Sequence, residues 1–86
     1  DYHTMIEVIK RRYSRVMKDN LRVPDLYGNT FVHAKNLVEI FEGGTEVVFF
    51  DNSTKQYHPS GLGFDATDYT IKQLKTLIGE DNVVLK

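Results

Sequence analysis

Apolar residues recur at spacings of three and four in three stretches of the chain, the spacing that places them on one face of a helix. In the first stretch, from His3 to Lys18, Met5, Ile6, Ile9, Tyr13, Val16 and Met17 share a face. Glu7 stands four residues before Arg11, the favourable order for a helical ion pair. Asp19-Asn20 interrupts the pattern and Pro24 forbids its continuation. The second helix is expected after Tyr27-Gly28-Asn29-Thr30, with Asn29 or Thr30 as N-cap. Phe31, Ala34, Leu37, Val38 and Phe41 form its stripe, and Gly43-Gly44 ends it. The third begins with Asp65 as cap and Asp68 in the capping-box position, with Phe64 and Tyr69 at hydrophobic-staple spacing. Ile71, Leu74, Leu77 and Ile78 are its buried stripe, and Gly79 closes it. Leu37, Phe41, Leu74 and Leu77 are the expected core positions.

Strand patterns fill the intervals. Glu46 to Phe50 is dense in β-formers and apolar on both faces, which predicts a well-covered strand. Asp51-Asn52-Ser53-Thr54 reads as a turn, and Lys55 to His58 returns as the second arm of a hairpin. Val83-Val84-Leu85 is a short terminal strand, and Leu21-Arg22-Val23 is another before Pro24. The expectation is a single α+β domain over residues 1–86. An opening helix precedes a β-α-β-β-α-β arrangement, the order of ferredoxin-like folds, with a small, mostly antiparallel sheet packed by helices. One feature pulls against that topology. It places the hairpin's second strand inside the sheet, whereas Lys55-Gln56-Tyr57-His58-Pro59 has the character of an edge.

Composition narrows the function classes. At 86 residues, 41% hydrophobic and 27% charged, the chain carries enough patterned apolar surface for one core. Without cysteine it has no disulfide framework, thiolate metal site or cysteine nucleophile, which fits a cytoplasmic, reducing setting. No apolar run approaches the roughly 20 residues of a membrane span. Gly61-Leu62-Gly63-Phe64-Asp65-Ala66 matches a permissive dinucleotide-binding string. However, the chain after it is too short for a nucleotide-binding half, and Asp65 and Asp68 put negative charge where the phosphates would sit. His3, His33 and His58 are scattered and lack metal-ligand spacing, so no metal and no cofactor are expected.

Charge is distributed unevenly. Residues 1–22 hold six basic and three acidic side chains, a net +3, while the remainder is −4, giving −1 overall. Arg11, Arg15 and Lys18 fall on one side of the expected first helix, with Arg22 just beyond, as a ridge suited to phosphates. The sequence pI of 6.3 is low for a nucleic-acid-binding domain. On the second helix, Val32, His33, Asn36 and Ile40 are left outside the apolar stripe, which marks a contact surface. The leading expectation is a non-catalytic module of regulatory, adaptor or inhibitor type, acting on another protein through such residues. A nucleic-acid-binding domain using the basic helix is the alternative. A small enzyme built on His58, Asp51 or Asp65 comes third, and no catalytic residue is assigned.

Overall fold

The computed structural model describes residues 18–86. The expected first helix lies outside the described residues except for its last position, and there the structure differs: Lys18 opens a strand. The described elements are β1 (Lys18–Val23), α1 (Asn29–Ile40), β2 (Thr45–Asp51), β3 (Gln56–Phe64), α2 (Asp68–Ile78), a single 3₁₀ turn (Glu80–Asn82) and β4 (Val83–Leu85). The strands form one mixed sheet in the order β3-β2-β1-β4. β1 runs parallel to β2 and antiparallel to β4, and β2 pairs antiparallel with β3.

The chain order is therefore β-α-β-β-α-β, but the sheet is not ferredoxin-like. A split βαβ unit would need another strand between β1 and β2, and here these two are hydrogen-bonded neighbours. The hairpin strand β3 lies at the edge. Its composition explains why: Pro59 has no N–H to give a second neighbour, and Gly61 adopts φ +73. The β2–β3 register also shifts between Glu46 and Val48. Ser60 bridges this irregular stretch, its hydroxyl donating to Val47 O at 2.6 Å and accepting from Leu62 N at 3.0 Å. β3 thus runs through the glycines of the Gly61-x-Gly63 string, which is a strand and not a loop opening a helix.

Both helices cover one face of the sheet. Leu21 and Val23 from β1, Val47 and Phe49 from β2, Phe64 and Val83 meet Ala34 and Val38 of α1 and Ile71, Leu74 and Ile78 of α2 in a single core. Leu37 and Phe41 pack against it half-buried, but Leu77 is 38% exposed, against expectation. Leu77 shares its flank of α2 with the buried Thr70 seven residues earlier. That flank is covered near Thr70 by the Asp65 loop, whose carbonyl accepts from Thr70 Oγ1 at 2.7 Å, and two turns later the loop has been passed.

Helix starts also differ from expectation. α1 begins after Gly28, which has no capping side chain, while Asp25 Oδ1 accepts from Tyr27 N and Gly28 N and shapes the approach. α2 is capped by Thr67, not Asp65. The Thr67 hydroxyl accepts from Thr70 N, and Thr70 Oγ1 accepts from Thr67 N, a reciprocal box built from two threonines. The loop after α1 lies against the end of β3 at two glycines. A Cβ on Gly63 would stand 2.0 Å from Gly43 O, and one on Gly43 would stand 2.6 Å from Asp65 Cα. Any side chain at either position forces the two backbones apart.

Among the buried polar side chains of the described residues, Asp19, Asn20, Asp51 and Thr70, the first stands apart. Asp19 is fully buried on β1, and neither carboxylate oxygen has a hydrogen-bond partner among the described residues. Its register neighbours are Val47 and Leu85. Burial pushes its carboxyl up to about 7.

Two expectations follow. Thr67→Ala should lower unfolding stability by about 0.5–2 kcal/mol, and Asp65→Ala by well under that, as read by urea denaturation. Equal losses would return the cap to Asp65. For Asp19, the folded state holds a proton that the unfolded chain releases near the ordinary 3.8. Its contribution is thus most favourable below that value, falls as pH rises to about 7, and is constant above. The full change is on the order of 4 kcal/mol. Asp19→Asn should flatten the stability profile across this window, and an unchanged profile would show that Asp19 is not the titrating group.

Candidate interaction surfaces

Among the described residues two surfaces stand out, one on the helix side of the sheet and one on the other. The first is the outer face of α1. Because Ala34 and Val38 point into the core, Val32, Asn36 and Ile40 fall on the opposite side, and His33 lies beside them. All four are exposed, Ile40 at 71%. The structure places them together as the sequence pattern implied. Past the end of α1, the half-buried Phe41 meets Tyr69 of α2 edge-on at 5.9 Å, and Tyr69 stays exposed.

The second is the face of the sheet opposite the helices. Strand alternation sends Asp19, Leu21 and Val23 toward the helices, which leaves Lys18, Asn20 and Arg22 on the other side, where Lys18 and Arg22 are exposed while Asn20 and its β2 neighbour Val48 are buried. Register then aligns Lys18 with Glu46, Asn20 with Val48 and Arg22 with Phe50 on β2. Phe50 is opposite Tyr57 on β3, and Asn20 is opposite Val84 on β4. Phe50 and Tyr57 form a tilted ring pair with centroids 4.8 Å apart. A shallow hollow of about 290 Å³ is lined by Asn20, Arg22, Phe50, Tyr57, Asp81, Val84 and Lys86. Arg22 Nε donates to Asn82 Oδ1 at 2.7 Å, and Asn82 Nδ2 donates to Ile78 O at 2.6 Å, so the guanidinium is anchored to the end of α2.

Of the expected basic ridge, Arg11 and Arg15 lie outside the described residues. Lys18 belongs to β1 and shares the sheet face opposite the helices with Arg22, so the expected alignment of Arg11, Arg15 and Lys18 along one helix side is not what the structure builds at Lys18. Sequence reading did not single out Phe50, Tyr57, Asn20, Val84 and Lys86 as one surface. The apolar residues on both faces of β2 predicted a well-covered strand, and Val47, Val48 and Phe49 are indeed buried, so nothing in that pattern marked Phe50 as part of an outer surface. The signal that would have assembled them is the even-numbered alternation of β1, which a three-residue strand was too short to display.

The remaining chemistry-bearing residues are occupied locally or dispersed. Asp51 Oδ1 accepts from Ser53 N at 2.8 Å and from the Ser53 hydroxyl at 2.6 Å. The Ser53 hydroxyl bond, chiefly, holds the Asp51 carboxyl below the usual carboxylate range. His58 is on β3 opposite Phe49, its Nε2 buried without a hydrogen-bond partner among the described residues. It borders a second hollow of about 210 Å³ between β3 and α1, with Leu26, Phe31, Lys35 and Phe49. Asp65 is an exposed loop residue. Among the described residues no group of three or more His, Cys, Asp or Glu side chains is placed to hold a metal ion, and no helix is long and apolar enough to cross a membrane.

No protein-family model matches the sequence, and no solved structure matches the chain.

Proposed function

We propose that this domain is a non-catalytic binding module whose partner is another protein, contacted through the outer face of α1. The observation that carries the reading is Ile40, a large aliphatic side chain 71% exposed on a regular helix, with Val32 two turns away on the same stripe. Scattered apolar residues are ordinary on protein surfaces, but these two share one helix side with Asn36 and have His33 beside them, all exposed. A compact apolar centre with polar neighbours is the composition of a protein contact. The helix is held by the core through Ala34 and Val38, so the surface is preformed and a partner need not order it. The enzyme reading has less to draw on, because Asp51 is engaged by its own turn and His58 Nε2 is buried.

The test is a paired substitution, Val32→Glu with Ile40→Glu, in the tagged domain. Both positions are exposed, so thermal stability should change by no more than about 0.5 kcal/mol. Capture of a specific protein from lysate of the source cells, followed by titration with that purified protein, should show at least a tenfold loss of affinity in the double variant. Unchanged affinity for the purified partner would move the contact off α1 and refute the reading.

A further inference from the structure

We propose that the exposed rim of the sheet face opposite the helices is a separate site that binds single-stranded nucleic acid, with a base on the Phe50–Tyr57 pair and phosphates on Lys18, Arg22 and Lys86. It is independent of the protein contact assigned to α1, since the two surfaces lie on opposite sides of the fold.

Three features converge. The first is the aromatic pair, whose rings are 4.8 Å apart, with Tyr57 59% exposed. An outward aromatic on a rigid strand offers a stacking surface that any base can use, whatever its hydrogen-bonding edge. The second is the hollow beside it. At about 290 Å³ it is at the lower limit of small-molecule pockets, so it suits one flat ring and not an enclosed cofactor. Val84 gives it an apolar wall, Asn20 lines its floor with Nδ2 donating to Val84 O at 3.4 Å, and Asp81 gives it an exposed polar group able to meet a base or sugar hydroxyl.

The third is where the cations lie. Lys18 and Lys86 belong to adjoining backbone positions, with Lys86 N donating to Lys18 O at 3.0 Å and Lys18 N to Lys86 O at 3.2 Å. Arg22 is four residues along β1, about 13 Å away at strand spacing. Positive charge therefore brackets the hollow at both ends, the arrangement that follows a sugar–phosphate backbone across a sheet. The Arg22 bond to Asn82 uses Nε and leaves the two terminal nitrogens for an outside acceptor. Stacking inside a hollow demands an unpaired base, so a single strand fits and a duplex does not. Glu46 and Asp81 on the same face keep the site from being a general anion trap, so binding depends on the rings as well as the charge.

The test uses the full chain and fluorescence anisotropy with labelled 12-nucleotide mixed-sequence single strands of RNA and DNA, the corresponding duplex, and a free mononucleotide as competitor. Salt is varied between about 50 and 200 mM. The expected result is micromolar single-strand binding at low salt, at least tenfold weaker duplex binding, and poor competition by the mononucleotide. Tyr57→Ala should weaken binding about 5- to 100-fold. Tyr57→Phe should restore it, which separates loss of stacking from loss of fold. Arg22→Gln should reduce the slope of log affinity against log salt by about 0.7. Absence of single-strand binding at low salt overturns the proposal, as does a preference for duplex. Binding indifferent to both Tyr57→Ala and Arg22→Gln also overturns it, because the contact would then lie elsewhere in the chain. A mononucleotide that competes as well as the strand would overturn the commitment to a polymer.

Discussion

The alternation of six residues in β1 decides almost everything else about this domain. β1 is bonded on both sides, parallel to β2 and antiparallel to β4, so its register fixes that of the whole sheet. Leu21 and Val23 go to the core, and Lys18, Asn20 and Arg22 go to the opposite face. A slip of one position would bury Arg22 and expose Leu21, and no arrangement of the helices could compensate for that. The same constraint that assembles the core therefore assembles the charged and aromatic surface on the other side. Asp19 is the exception within this pattern: alternation carries it inward with Leu21 and Val23, and the fold accepts a buried carboxyl with a raised affinity for its proton.

The helices are fixed to this sheet by short-range devices more than by length. The Thr67–Thr70 box starts α2, and the Thr70 hydroxyl also reaches the Asp65 carbonyl, tying the helix to the end of β3. Gly43 and Gly63 let the end of α1 approach the same place, where Gly43 N donates to Gly63 O and Asp65 N to Phe41 O. At the other end of the sheet, Asn52 N donates to Val23 O, and Asn82 joins α2 to Arg22. Both ends of the described sheet are thus closed by backbone and side-chain hydrogen bonds. They limit how far the two helices can slide on the sheet, and they preserve the surfaces that the strands and α1 present.

Much of this was legible in the residues, and the parts that were not have identifiable causes. The stripe Ala34, Val38 and Phe41 gave α1 its phase, and with it the exposure of Val32, His33, Asn36 and Ile40. Pro59 marked β3 as an edge, which was the observation at odds with a ferredoxin-like sheet. The cap was misplaced because Asp65 is an intrinsically better cap than Thr67 by local preference, and only the fold reveals that Phe64 and Asp65 are still held to β3 and Phe41. β1 was under-read because Asp19 and Asn20 look like helix terminators. The sheet surface escaped notice for the same reason: its members come from four strands, and register is a tertiary property that no local pattern carries.

The chain has no cysteine, so the two-sidedness of β1 can be read one position at a time by introducing single thiols. Lys18→Cys, Leu21→Cys, Arg22→Cys and Val23→Cys variants would be labelled with a thiol-specific reagent under native conditions, each rate referred to the same variant unfolded in urea. The account predicts rapid labelling at positions 18 and 22 and strong protection at 21 and 23, with Val84→Cys fast and Val83→Cys slow on the neighbouring strand. Labelling of Leu21→Cys as fast as Arg22→Cys in a folded variant would contradict it, because β1 would then not turn Leu21 into the core and Arg22 away from it.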